Sequence, residues 1–166
     1  MIEMKHYKNK GFSLIELLLY MGLFSIFLIT LTQIFSSALE LKLESESTST
    51  VQQDSRYILE RLSYDINRAD SITTPATIGT QGQLLSLVIS GQTYSYTLSG
   101  NNFTLTNPSG TFQLNGFNTR VTNLSFLRVG NSGGKNSVRI TYTINSLTNQ
   151  KKGIETKTIQ TTLGIR

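Results

Sequence analysis

The chain has 166 residues, with 15 lysines and arginines against 10 aspartates and glutamates, one histidine and no cysteine, for a net charge of +5. Without cysteine there is no disulfide framework, thiol nucleophile or thiolate metal site. The single histidine is His6, and the only carboxylate beyond Asp70 is Glu155, so the C-terminal part also lacks a histidine-based triad, an imidazole metal site and a carboxylate pair. We therefore expect no enzyme, metal or cofactor.

Residues 1–11 form a short basic leader, and a long apolar segment follows it at 12–35. As a helix, this segment would extend about 36 Å, which is enough to cross a bilayer. Lys5, Lys8 and Lys10 precede it. The positive-inside rule therefore predicts a single-pass protein of the cytoplasmic (inner) membrane, with its N-terminus in the cytoplasm and everything beyond the span outside.

Glu16 is the one residue of this segment that is charged near neutral pH. A charge at the bilayer centre costs about 2.5 to 3.5 kcal/mol, so a compensating partner is expected. If the chain were cut between Gly11 and Phe12, the new amine of Phe12 could meet Glu16 of a neighbouring copy. Two such charges 4 Å apart attract by about 4 kcal/mol at an effective dielectric constant of 20, which is comparable with the burial cost. The alternative is an ordinary signal anchor in which Glu16 is incidental.

The run G-F-S-L-I-E-L-L from Gly11, with basic residues before it and an apolar helix after it, resembles the class III signal of type IV pilins and type II secretion pseudopilins. The resemblance implies cleavage after Gly11 by prepilin peptidase on the cytoplasmic face and N-methylation of Phe12. It also implies that Glu16 pairs with the Phe12 amine of an adjacent subunit. Ser13 stands where the family more often has threonine. The implied partners are other pilin or pseudopilin subunits and the inner-membrane assembly platform.

Beyond the membrane, the helix is expected to continue to about Asp70, with some fraying in the Ser- and Thr-rich stretch 45–50. From Val51 onward, apolar residues recur at the helical period and predict one buried face. These residues are Val51, Ile58, Leu62, Ile66 and Ala69. Arg61 and Asp65 have the i,i+4 spacing of a helical ion pair. The segment 72–75, which ends in a proline, is predicted to terminate the helix.

The run R-Y-I-L-E-R-L-S-Y-D-I-N-R-A-D-S-I from Arg56 resembles a segment of J-type minor pseudopilins and their minor-pilin relatives. In that segment, a Leu-x-x-Asp-Ile-like pattern docks on the sheet. The runs V-T-N-L-S-F-L-R and N-S-V-R-I-T-Y-T-I are similar to the C-terminal strands of the same proteins. Tyr57 and Tyr64 are expected to cover the seam between helix and sheet.

From Thr77 onward, runs of Thr, Val, Ile, Tyr and Phe alternate with Gly, Asn and Ser turns, which predicts β-structure. The predicted strands are 84–89, 93–98, 103–106, 120–129, 137–145 and 154–163, with hairpin turns at 90–91 and 100–102. Alternating apolar residues give each sheet one dry face, and the helix from Val51 to Ala69 would cover it. The predicted fold is α+β, with a long N-terminal transmembrane and stalk helix packed on an antiparallel β-sheet head, as in type IV pilins.

Charge is distributed unevenly, because residues 36–70 hold seven acids and four bases whereas the chain beyond Asp70 holds one acid and eight bases. Three interpretations remain open. In the first, the basic surface is solvated and favours contact with the acidic stalks of neighbouring subunits. In the second, it contacts anionic envelope polymers or lipid head groups. In the third, it captures DNA. The candidate polyanion contacts are Arg120, Arg128, Lys135, Arg139, Lys151 and Lys152. The glycine-rich loop 130–137 departs from a phosphate-binding loop and is interpreted as a hairpin.

We therefore expect four segments: a cleaved leader at 1–11, a transmembrane helix at 12–35, an extracytoplasmic helical stalk at 36–74 and a β-rich globular head at 75–166. The expected function is that of a prepilin-like structural subunit, a minor pilin or pseudopilin that initiates or caps a type IV pilus or type II secretion pseudopilus. One alternative is a DNA-uptake (competence) pseudopilin whose basic head contacts DNA. The other is a membrane-anchored standalone binding module.

Overall fold

The computed structural model describes residues 11–131 and 134–166, so residues 1–10 of the leader predicted at 1–11 and two residues of the 130–137 loop lie outside the described residues. In the described part of the chain, one helix is followed by nine β-strands. They are α1 (Leu14–Asn67), β1 (Ser71–Thr74), β2 (Gln81–Gly82), β3 (Leu85–Ile89), β4 (Gln92–Ser99), β5 (Asn102–Asn107), β6 (Gly110–Gln113), β7 (Thr119–Val129), β8 (Ser137–Ser146) and β9 (Thr156–Gly164). The chain divides between Leu41 and Lys42 into two compact units.

The first unit contains the apolar part of α1, where every described residue is exposed. An 18-residue window of α1 has a mean hydropathy of 2.3, and by length and composition α1 is the one helix among the described residues that could cross a membrane. The hydroxyls of Ser25, Thr30 and Thr32 donate to carbonyl oxygens four residues earlier, at 2.8 to 3.0 Å. These polar groups are therefore satisfied within the helix, as an apolar environment requires.

In the second unit, α1 buries the face that its sequence predicts. Val51, Ile58, Leu62 and Ile66 are fully buried and join one core with the strands. The predicted fraying at 45–50 is wrong, because α1 continues through this stretch and Ser47 is buried. On its own, a Ser- and Thr-rich run has a low helix propensity, but packing against the sheets stabilises the helix here.

The strands form two antiparallel sheets, a five-stranded sheet in the order β1-β3-β4-β5-β6 and a four-stranded sheet in the order β2-β7-β8-β9. The six predicted strands are all present, with ends shifted by at most two residues. At the predicted turn between β3 and β4, Ser90 and Gly91 have φ of 51° and 77°. Two successive positive φ values are typical of the type I′ turn that matches the twist of a tight hairpin.

The aromatic core joins the two sheets through Phe103 of β5. The centroid of its ring lies 6.1 Å from that of Tyr96 on β4, 6.4 Å from that of Phe126 on β7 and 6.2 Å from that of Tyr142 on β8. All four rings are fully buried. Because these residues come from both sheets, the core holds the sheets together, and the α+β fold expected from the sequence is confirmed.

The end of the helix is the clearest difference from the prediction. α1 ends at Asn67, three residues before the expected end near Asp70, and residues 71–74, predicted as the end of the helical stalk, form β1. Ile72 is buried and pairs with Leu87 of β3. The proline at 75 is a local signal for a helix end, but it does not reveal the non-local pairing that makes the preceding residues a strand. The strands β2 and β6 were not predicted either, because two and four residues are too few to show a period.

The expected covering role of Tyr57 and Tyr64 is wrong, since both are more than half exposed. Tyr64 instead stacks with Arg68, whose guanidinium carbon lies 4.5 Å from the centre of the tyrosine ring. The seam between the helix and the five-stranded sheet is occupied by Tyr96 from β4.

Candidate functional site

The start of α1 is built around Ser13. Its carbonyl oxygen accepts the first helical hydrogen bond from Leu17 N at 3.1 Å, and its hydroxyl oxygen accepts a hydrogen bond from Glu16 N at 3.3 Å. This is the geometry of a helix N-cap, with Glu16 at the third helical position. The pattern Ser-x-x-Glu is a capping box, a signal that the sequence analysis missed when it treated Ser13 only as a departure from threonine.

Glu16 and Phe12 are both exposed at this helix start. The Phe12 side chain is 76% exposed, and its ring lies edge-on to Tyr20 with the centroids 6.2 Å apart. No ion pair involves the Glu16 carboxylate among the described residues. A carboxylate in the first helical turn gains about 0.3 to 1 kcal/mol from the helix dipole, which is well below its cost at the bilayer centre. The helix itself therefore compensates only part of that cost.

The Gly11–Phe12 peptide bond lies just ahead of the cap, outside the helix. Gly11 is exposed, and no atom lies within 4 Å of the position that a Cβ would occupy there. The bond predicted to be cleaved is thus not locked into helical hydrogen bonds or covered by the described residues. Such a segment is accessible to a peptidase.

The helix is anchored on the five-stranded sheet by a buried charge at Asp65, within the segment that resembles the minor pseudopilins. Its carboxylate is fully buried and accepts hydrogen bonds from Arg61 Nε at 3.0 Å, from Arg68 Nε at 3.0 Å and from the Tyr96 hydroxyl. Burial and the hydrogen bond to Asp65 raise the pKa of Tyr96 far above its usual range. Burial of Arg61 acts to lower its pKa, but the Asp65 carboxylate and Tyr96 together outweigh burial and leave the pKa raised.

The six basic residues proposed as polyanion contacts do not form one group. Arg120 pairs with Asn145 in the β7–β8 register, whereas Arg139 lies six positions earlier on β8, about 20 Å away along the strand. Lys151 and Lys152 belong to the β8–β9 connection at the Arg120 end. Arg128 and Lys135 are at the other end, with Arg139.

Arg128 and Lys152 of this set are bound within the molecule. Arg128 Nη1 donates to the backbone carbonyl oxygens of Ile72, Pro75 and Ala76, at 3.1, 3.0 and 2.6 Å. It therefore holds β1 and the segment after it against β7. Lys152 Nζ contacts Glu44 Oε1 at 2.7 Å, and this hydrogen bond raises the pKa of the exposed lysine. Arg139 and Lys135 are exposed.

A second helical carboxylate, Asp54, holds a loop that sequence reasoning missed. Its Oδ2 accepts hydrogen bonds from Gly116 N at 2.7 Å and from the Thr119 hydroxyl. The loop presents Phe117 with 94% of its surface exposed. Asp54 and Gly116 are 62 positions apart, so no local pattern could link them. The charge of Asp54 in the predicted stalk was the only sequence signal.

Among the residues described, no group of three His, Cys, Asp or Glu side chains is placed to hold a metal ion.

The family profile described as the prokaryotic N-terminal methylation motif matches residues 6–32 of the chain. No curated protein and no solved structure matches it. The matched stretch contains Gly11, Phe12 and Glu16, and it supports a type IV pilin-like family and a prepilin-like structural subunit. The motif implies processing by prepilin peptidase and assembly with other pilin subunits, and with the apolar helix it is consistent with a single-pass inner-membrane anchor.

Proposed function

We propose that this protein is made as a prepilin-like precursor, is cleaved between Gly11 and Phe12, is N-methylated at Phe12 and is assembled into a type IV pilus or type II secretion pseudopilus. The observation that supports this most is the coincidence of the methylation motif with the start of α1. The predicted scissile bond lies immediately before the helix cap, and an exposed apolar helix follows it.

Assembly would bury that helix against the helices of other subunits and lipid. In an apolar environment, helices associate by close packing and by satisfying polar groups across the interface. Glu16 needs a partner there, and the positive amine freed at Phe12 would supply one from an adjacent subunit. Their attraction of about 4 kcal/mol is large enough to offset the cost of burying the carboxylate, so it would fix the register between neighbouring helices.

Within the filament, we propose a minor subunit near the tip, of the type that initiates or caps assembly. The support is the resemblance of residues 56–72 to the J-type minor pseudopilins, together with the structural use of the Asp-Ile pair in that run. Asp65 anchors α1 to β4, and Ile66 enters the core. An aspartate with this role is expected in proteins that share the docking segment.

The processing step is tested by co-expressing the full chain with a prepilin peptidase and measuring the intact mass of the purified protein. We expect a mass lower by eleven residues, plus one methyl group on a new N-terminal phenylalanine. Co-expression with a peptidase inactivated at its catalytic residues is the control and should leave Met1 in place. An intact Met1 terminus in the presence of the active enzyme would favour the alternative of a membrane-anchored standalone binding module.

The DNA-uptake alternative makes a separate prediction about the basic residues. Binding through phosphate contacts needs a continuous positive surface and weakens steeply with salt. Arg120 and Arg139 lie about 20 Å apart along the sheet, and Arg128 is occupied by backbone carbonyls, which makes such a surface less favourable. A gel shift of the full chain in detergent with single-stranded and duplex DNA at low salt decides between these functions, and a shift that disappears in Arg139→Gln would support DNA contact.

A further inference from the structure

A cavity of about 520 Å³ lies beside the exposed Phe117, where the β4–β5 turn meets the loop before β7. Its lining includes Asn101, Asn102, Gln113, Phe117, Arg120 and Leu147. This volume lies within the range of about 300 to 1,000 Å³ that is typical of small-molecule sites. Nothing in the proposed assembly of the N-terminal helix uses this part of the molecule.

Hydrogen bonds from side chains beneath it hold the backbone of the loop that presents Phe117. Besides the bonds to Asp54, the side chain of Asn115 accepts a hydrogen bond from Phe103 N at 2.8 Å and donates to Thr119 O at 2.9 Å. Asn115 is buried. An almost fully exposed phenyl ring therefore stands on a loop whose backbone is held by two buried or half-buried side chains. Such preorganisation lowers the entropic cost of binding a ligand.

The chemistry of the cavity indicates an acidic, hydroxyl-rich ligand. Among the described residues, no carboxylate lines the cavity, which favours an anionic ligand over a cation. Arg120 lines the cavity and is half-buried, and among the described residues no hydrogen bond or ion pair involves its guanidinium, so its donors remain for an anionic group. The side-chain amides of Asn101 and Asn102 combine donors with acceptors, as hydroxyl groups require. Gln113 Nε2 already donates to Asn115 O at 2.8 Å, and its Oε1 adds an acceptor. Phe117 adds a flat apolar surface on which a sugar ring could lie.

We propose that this cavity binds a saccharide unit that carries a carboxylate or sulfate group, as found in acidic surface polysaccharides. The Arg120 guanidinium would bind the anionic group, the amides would bind hydroxyls, and Phe117 would pack against the face of the ring. The competing occupant is an acidic segment of another subunit. The cavity favours it less, because Phe117 and Leu147 are the only large apolar residues of its lining in the described part of the chain, whereas the cores of protein interfaces are mostly apolar.

This inference goes beyond the proposed function and does not depend on cleavage or filament assembly. It is tested with the full chain in a detergent without a sugar head group, applied to arrayed oligosaccharides that bear uronic acid, sialic acid or sulfate. Neutral oligosaccharides of the same length are included. We expect saturable binding to a subset of the acidic ligands, weakened about tenfold or more by Phe117→Ala and by Arg120→Gln. Arg120→Lys should recover little of this loss, since it keeps the charge but lacks the planar fork.

Arg139→Gln is the matched control, because it removes an exposed positive charge at the far end of the same sheet. It should leave binding unchanged. Phe117 is exposed, so Phe117→Ala should fold normally, and the circular dichroism of the variant checks this. The proposal is overturned if no acidic ligand binds, or if Arg139→Gln weakens binding as much as Arg120→Gln. It is also overturned if Phe117→Ala spares saccharide binding but prevents association with other subunits, since the cavity would then be a subunit interface.

Discussion

Replacing Asp65 by asparagine would remove the buried charge that links α1 to the five-stranded sheet. In the native protein, this carboxylate accepts from Arg61 and Arg68 on its own helix and from Tyr96 on β4. Asparagine has nearly the same shape, so packing is preserved and the change isolates charge and hydrogen bonding. The single carboxamide oxygen of asparagine can accept only some of these hydrogen bonds. Its NH2 group would lie against the donor groups of the arginines and of Tyr96.

The magnitude follows from burial. Breaking a fully buried ion pair by removing one partner costs about 3 to 5 kcal/mol. Here the side chains of both arginines are about one-third exposed, at 31% and 35%, so they can turn toward water and recover part of their hydration. The Tyr96 hydroxyl is buried and cannot do so. We therefore expect Asp65→Asn to lower the free energy of unfolding by about 3 kcal/mol, toward the lower end of that range.

The assay is urea unfolding of the full chain in detergent micelles, followed by the near-ultraviolet circular dichroism of tyrosine, since the chain has no tryptophan. Glu60→Gln, an exposed neutralisation on the same helix, is the matched control and should change stability by less than about 0.5 kcal/mol. Tyr96→Phe should cost about 1.5 to 3 kcal/mol and should not add fully to Asp65→Asn, because both remove the same hydrogen bond. A loss below about 1 kcal/mol for Asp65→Asn, or full additivity, would refute this account of how the helix is anchored.

Three further outcomes follow from the structure. Burial raises the pKa of both Tyr96 and Tyr142, so at high pH the folded protein retains protons that the unfolded chain releases. The free energy of unfolding, measured with urea, should therefore stay level up to about pH 10 and fall as the pH rises further. Arg128→Gln should lower the free energy of unfolding by about 1.5 to 3 kcal/mol and speed hydrogen exchange in β1, whereas an unchanged exchange rate there would show that its carbonyl contacts are dispensable. Asp54→Asn should speed hydrogen exchange at Gly116 while leaving β8 protected, and equal loss of protection in both would indicate general unfolding instead.

The elements that could be predicted from sequence are those with a repeating pattern of burial. The buried face of α1 follows the helical period from Val51 to Ile66, and β8 alternates buried Val138 and Ile140 with exposed Arg139. These patterns exist because one side of each element meets the core and the other meets water. The elements that were missed are short: β2 has two residues and β6 four, too few to show a period.

The candidate sites differ in the same way: some consist of residues that are close in sequence, and others of residues that only the fold brings together. The processing motif and Glu16 are local in sequence, so they could be recognised directly. The division of the basic residues between two ends of the sheet depends on strand register, which places Arg139 opposite Leu127 and Arg120 opposite Asn145. The binding of Arg128 to backbone carbonyls joins positions more than fifty residues apart. Composition could show that this region is basic, but it could not show how the charges are arranged.

The Ser-x-x-Glu spacing suggests a second role for the Glu16 side chain, that of supporting the helix start, and the two roles respond differently to mutation. Glutamine at the third helical position still supports a cap, but it carries no charge. Alanine removes the whole carboxyl group, and it leaves in place the hydrogen bond from the backbone N of position 16 to the Ser13 hydroxyl. Glu60→Gln is again the control for neutralising an exposed acid elsewhere on α1.

The decisive measurement is the incorporation of full-length Glu16→Gln and Glu16→Ala into filaments or into crosslinked complexes with partner subunits, in cells where both variants insert into the membrane and are cleaved. If the carboxylate pairs with the Phe12 amine of a neighbour, both variants should be incorporated about tenfold less than the native protein, because each leaves that amine unpaired in an apolar environment. If Glu16→Gln is incorporated normally and only Glu16→Ala fails, the glutamate serves the helix cap alone and the proposed pairing between subunits is contradicted.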